Sequence, residues 1–173
     1  MIKPSQELLS AARAVVTAQA FVETIRPKVH KIQDDLIFAL SPKVAPEHRE
    51  GRRAVEGEYV TRENAWMMSD EDAQRYYPQL DTEYRKAGFT EIKPGECPLL
   101  VAENLLRKTE RMFMELSIEL TAKAGFTPEM VEKIITCEYP NGLERRREYL
   151  DLNLRYVVPF LPEARNGKAA KRS

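Results

Sequence analysis

Glycine and aromatic side chains are scarce in this chain of 173 residues, with 7 glycines and 8% aromatics. Sheets draw on both for turns and cross-strand packing, so an all-β protein is disfavoured. Cysteine is rarer still. Cys97 and Cys137 are the two present and sit in unlike surroundings, which leaves no disulfide framework and points to a reducing, cytoplasmic setting. Net charge is lacking as well, because 27 basic residues balance 27 acidic ones. Without a global field, attraction to nucleic acid or to an anionic membrane has to be local. The most apolar early stretch, residues 8–22, is broken by Arg13 and Gln19, short of the roughly 18 to 20 apolar residues that span a bilayer. Glu7 and Arg13 likewise break any hydrophobic region of signal-peptide type. No membrane partner is expected.

Recognisable catalytic signatures are missing too. There is no phosphate-cradling glycine loop, no G-x-S-x-G and no H-E-x-x-H. "SDED" at 69–72 lacks the later ligands of a calcium loop and is explained by helix capping. A zinc site would have to combine Cys97, Cys137, His30 and His48, no two of which have the short spacing of local zinc motifs. No metal and no cofactor is expected.

What is present is helical periodicity. With 43% apolar and 31% charged residues the chain suits a folded core with solvated faces. At this length roughly two-thirds of the unfolded surface can be buried. From residue 5 to 40, apolar residues recur at Leu8, Ala12, Val15, Val22, Ile25, Val29, Ile32, Leu36 and Leu40 in helical steps. Pro27 interrupts this face without changing its phase, predicting one kinked helix or two meeting at Arg26. Residues 41–64 are dense in charge, proline and glycine and read as a long loop.

A helix is predicted to start near Asp70, with Ser69 as its cap, and to run to about Ala87, with Pro78 dividing it into two pieces. "KAGF" then places glycine at the left-handed position after the helix, and the same tetrapeptide recurs at 123–126. Residues 99–124 predict a single helix of about 39 Å. Leu99, Ala102, Leu106, Thr109, Phe113, Leu116 and Leu120 line one side of it, a seam suited to a helical bundle or to a homodimer. Thr127 and Pro128 open a short helix that "YPNG" ends, with Cys137 as a small buried apolar residue near its end. The last helix spans about 143–158, with Leu143, Leu150, Leu154 and Val157 inward. The fold class is therefore all-α: an irregular antiparallel helical bundle of about five helices with a long charged loop. Residues 1–162 are read as a single helical domain and 163–173 as a flexible basic tail.

Three sets of residues are candidates for function. Trp66, Met67 and Met68 stand just ahead of a helix start, where they either staple the incoming loop to the core or anchor a protein partner. Arg49, Arg52 and Arg53 in the loop and Arg145, Arg146 and Arg147 in the last helix would neutralise phosphates if they converged, although Glu47, Glu50, Glu144 and Glu148 interleave with them. Cys97, placed by Pro98 at a helix N-cap, is a candidate reactive thiol. The base it would need has to be His30 or His48, and neither spacing to Cys97 carries meaning, so a structural hinge is the preferred role.

The stretches "WMMSDEDAQRYY", "YRKAGF", "CPLLVAENLL" and "YLDLNLRYVVPFL", in this order, resemble an uncharacterised family of small helical proteins encoded by bacterial prophages and integrative elements, over about residues 66–161. These stretches are caps and seams, so they carry no catalytic residue across. The resemblance implies a cytoplasmic accessory protein of a phage or mobile element. Such a protein would bind and modulate a host or element protein, a host-defence complex among them. A non-enzymatic interaction module is the resulting expectation. The alternatives are a nucleic-acid binder using the arginine clusters and a thiol enzyme centred on Cys97.

Overall fold

In a computed structural model, residues 3–40, 62, 65, 70–122 and 125–162 are described. Among these the protein is all-α, with no strand. The helices are α1 (Gln6–Leu40), α2 (Asp70–Lys86), α3 (Pro98–Leu116), α4 (Ile118–Thr121), α5 (Pro128–Ile135) and α6 (Gly142–Val157), and a 3-10 turn, Val158–Phe160, follows α6. The described residues fall into two compact units, one from Met1–Ala20 with Asn104–Ser173 and the other from Phe21–Glu103.

Both internal prolines are carried inside continuous helices. Proline removes one backbone donor and leaves the carbonyl four residues earlier without its partner. Pro27 and Glu23, and likewise Pro78 and Gln74, lie on exposed faces, where the freed carbonyl is not buried. α2 is thus one helix rather than the two pieces that Pro78 suggested. Its N-terminus carries Asp70, Glu71 and Asp72, favourable at the positive end of the helix dipole.

Its C-terminus closes as "KAGF" predicts. Gly88 takes φ +94, its N-H donates to the Arg85 carbonyl at 3.1 Å, and the Phe89 N-H donates to the Tyr84 carbonyl at 2.9 Å. The Phe89 ring folds back edge-on against Tyr84, the contact that accompanies this motif. Gly125 repeats the motif at φ +85, with Phe126 donating to the Thr121 carbonyl at 3.3 Å. A third copy ends α5, where Glu138 donates to Lys133 and Cys137 to Ile134. Here Cys137 holds the left-handed place at φ 59. It is half-buried, so the buried apolar role expected for it is corrected: its backbone is what the corner uses.

The core of the first unit gathers Leu8, Ala12 and Val15 of α1, Phe113 and Met114 of α3, Val131, Ile134 and Ile135 of α5, and Tyr149, Leu150, Leu154 and Val157 of α6. Within it the polar groups are paired, as burial requires. Thr121 Oγ1 lies 3.1 Å from Tyr149 Oη, and Asn153 Nδ2 donates to the Tyr149 carbonyl at 2.9 Å. The helix predicted over 99–124 breaks at Ser117, which is fully buried. Its hydroxyl donates to the Phe113 carbonyl at 2.6 Å, which also accepts from the Ser117 N-H at 3.0 Å, so the break falls where one carbonyl is shared by two donors. Leu143 also departs from expectation. It is 77% exposed, whereas α6 buries Gly142, Tyr149, Leu150, Asn153, Leu154 and Val157.

In Phe21–Glu103, α1 buries Val22, Ile25, Val29, Leu36 and Ile37, and α2 buries Tyr76, Leu80 and Tyr84 at a strict spacing of four. Among the described residues one helix, α1 over Gln6–Ala39, is long and apolar enough by length and composition to cross a membrane. Its buried positions from Leu8 to Val29 recur in steps of three and four, the pattern of a helix with one face on protein.

Candidate functional site

Trp66, Met67 and Met68 lie outside the described residues, as do Arg49, Arg52 and Arg53, His48 and the basic tail. The arginines of α6 are described, and successive residues on a helix point about 100° apart. Each of the three has a different setting. Arg145 sits over the Tyr139 ring at 5.7 Å, Arg147 is exposed, and Arg146 turns inward. There it pairs with Glu110 at 3.5 Å and donates to the Ile135 carbonyl, with both charged side chains about four-fifths buried (20% and 17% exposed).

Burial pushes the Glu110 carboxyl above its usual range, while Arg146, Gln19, Arg107 and Arg147 pull it back. A carboxyl raised in the folded state favours folding below the ordinary carboxylate pKa, and that contribution is lost as pH rises through the raised value. At neutral pH the ionised Glu110 is therefore a cost that Arg146 offsets. Arg146→Ala is expected to lower stability by about 1–2 kcal/mol at pH 7, less than for a fully buried pair. The deficit should shrink as Glu110 is protonated, so denaturant titrations at pH 7 and in the acid carboxylate range check it. A deficit independent of pH would show that Arg146 acts through packing alone.

Cys97 is the N-cap of α3: Pro98 is the first helical residue, and the Cys97 carbonyl accepts from Val101 N-H at 3.1 Å. The chain reaches it through a tight turn at Gly95, φ +82, whose N-H is held by both carboxylate oxygens of Asp81 at 3.0 Å. The thiol faces a small polar cluster. Gln33 Nε2 donates to Tyr84 Oη at 2.8 Å and lies 3.7 Å from Cys97 Sγ, and Tyr84 Oη lies 3.8 Å from the same sulfur.

These groups line a pocket of about 160 Å³ together with Arg62, Tyr76 and Glu96. Arg62 Nε donates to Asp34 at 2.7 Å. Burial, more than any neighbour, holds the hydroxyls of Tyr76 and Tyr84 far above the usual tyrosine range, so both stay protonated. His30, the one described histidine, has its pKa lowered, first by burial and then by Arg62 and Arg26. Among the described residues no group of three or more His, Cys, Asp or Glu could hold a metal ion.

Sequence reasoning singled out Cys97 and missed Tyr76, Tyr84, Gln33 and Arg62 around it. The spacing of Tyr76, Leu80 and Tyr84 was a signal that one face of α2 is buried; which residues that face meets was not legible. The outward face of α3 was missed as well. In the first unit it presents Leu105 and Met112, one heptad apart and 53% and 51% exposed. No protein-family model, curated protein or solved structure matches the chain.

Proposed function

We propose that the protein works by contact with another protein. The observation that carries this reading is the pair Leu105 and Met112, large apolar side chains turned to solvent on one face of α3 beside the core seam. Seven residues bring a helix back to nearly the same direction, so the two form one edge, with the Arg111–Glu115 ion pair next to it. Methionine and leucine on a helix face suit a partner that buries them under a polar rim. Together with the resemblance to small mobile-element proteins, this makes the partner a host or element protein in a bacterial cytoplasm, a defence complex being one such target.

The test is retention of partners from bacterial lysate on the tagged chain, with and without nuclease. A protein held at fixed stoichiometry, surviving nuclease and lost from the Leu105→Glu, Met112→Glu double variant, is the expected result. Retained nucleic acid that washes off in moderate salt would overturn the reading in favour of the arginine clusters. Light scattering on the same samples separates self-association from binding to a different chain.

A further inference from the structure

We infer that Cys97 is an oxidation site for small hydroperoxides, with the peroxide held in the adjacent pocket between the thiol and the hydroxyl of Tyr76. Position at a helix N-terminus does not establish this. The observation that does is Tyr76, which lines the pocket, is only 3% exposed, and whose hydroxyl makes no hydrogen bond to any described residue. A buried hydroxyl without a partner costs about 1–3 kcal/mol, so a group left in this state marks a place where something else binds. Tyr76, Arg62 and Cys97 line the same pocket.

The surrounding groups select the ligand. The pocket's carboxylates Asp81 and Glu96 disfavour an anion, and Arg62, the one lining cation among the described residues, already has Asp34 beside it. A neutral ligand remains. The hydrogen-bonding capacity still open includes donors, namely Tyr76 Oη-H and the two terminal amino groups of Arg62, which have no partner among the described residues. The Cys97 sulfur belongs to the same lining, with Gln33 Nε2 and Tyr84 Oη beside it. A nucleophilic sulfur and donors around one space of about 160 Å³ suit a ligand with an oxygen that sulfur can attack and a second oxygen that must leave. A hydroperoxide, ROOH, has both, and Leu80 and Ala65 give a small R group an apolar wall.

In the step, the sulfur of Cys97 attacks the terminal oxygen of ROOH. The S-O bond forms as the O-O bond breaks, and its electron pair leaves on the RO oxygen, which takes up the proton released by the thiol. The products are the sulfenic acid and ROH, with sulfur oxidised by two electrons and the peroxide reduced. Tyr76 and Arg62 hydrogen-bond the leaving oxygen as its charge develops. Residues 21–103 hold no second cysteine, so the product there is a sulfenic acid without a neighbouring thiol from the same unit.

Cys137 is an internal reference, half-buried like Cys97 but outside this pocket. The full reduced chain is exposed to hydrogen peroxide, and separately to cumene hydroperoxide, with dimedone present to trap sulfenic acid; iodoacetamide alkylation is timed in parallel. Peptide mass spectrometry reads each cysteine. Cys97 is expected to be trapped about tenfold faster than Cys137 with at least one peroxide. Tyr76→Phe and Arg62→Gln should each slow trapping at Cys97 about five- to tenfold while leaving its alkylation rate unchanged, since both act on the leaving oxygen. Should one variant fail to fold, the other decides. Equal trapping at the two cysteines, or variants that slow trapping and alkylation alike, would overturn the inference.

Discussion

Gly142→Ala is expected to lower stability by about 3 kcal/mol, more than an exposed-looking turn residue would suggest. Gly142 opens α6, directly after a turn in which Asn141 takes φ 60. A methyl group on it would stand 2.5 Å from the carbonyl oxygen of Cys137 and 2.7 Å from its Cα and carbonyl carbon. These are backbone atoms. They are held by the three-residue closure of α5, in which Cys137 and Glu138 donate back to Ile134 and Lys133, so they cannot withdraw as a flexible side chain would. The corner must open, and α5 and α6 meet the core on either side of it. Denaturant unfolding measures the loss. Cys137→Gly in the same assay is the control of opposite sign, expected to stabilise by about 0.5–1 kcal/mol, because glycine adopts φ 59 without the strain that a β-carbon imposes. A change of under about 1 kcal/mol in Gly142→Ala would mean that the corner yields easily.

Phe113→Ala is expected to be at least as damaging, at about 4 kcal/mol. Phe113 is fully buried in the core of the first unit among residues of α1, α5 and α6, and its carbonyl also accepts from the Ser117 hydroxyl where α3 ends. Truncation removes the ring and leaves a cavity that walls from four helices cannot close together. Leu105→Ala, one helix face away and 53% exposed, should cost less than about 0.5 kcal/mol. The contrast separates the core seam of α3 from the surface assigned to a partner. A Phe113→Ala variant within about 1 kcal/mol of the wild type would sink this placement of the core.

Arg146 shows where local reading stops. "ERRRE" looks like a solvated face or a phosphate clamp, and either would treat its three arginines as equivalent. The fold makes them unequal by turning one against Glu110. Leu143 shows the converse, since an apolar residue in phase with a predicted seam remains in solvent while Gly142 and Arg146 on either side of it turn inward. The same lesson applies to Ser117, whose effect on α3 depends on its burial, something periodicity does not register.

The all-α class, the buried face of α1, the two glycine closures, the Thr127 cap and the N-cap position of Cys97 were legible from residue order. All of these are interactions between residues three to five apart, and helical geometry alone brings such residues together. The left-handed Cys137, the break at Ser117, the inward turn of Arg146 and the convergence of Tyr76, Tyr84, Gln33 and Arg62 on Cys97 were decided by tertiary structure. Each depends on a neighbour supplied by packing, from α5 and α6 closing a corner to Gln33 reaching a tyrosine 51 residues away. Propensity and spacing describe one helix at a time, whereas burial, charge pairing and a pocket exist only between helices.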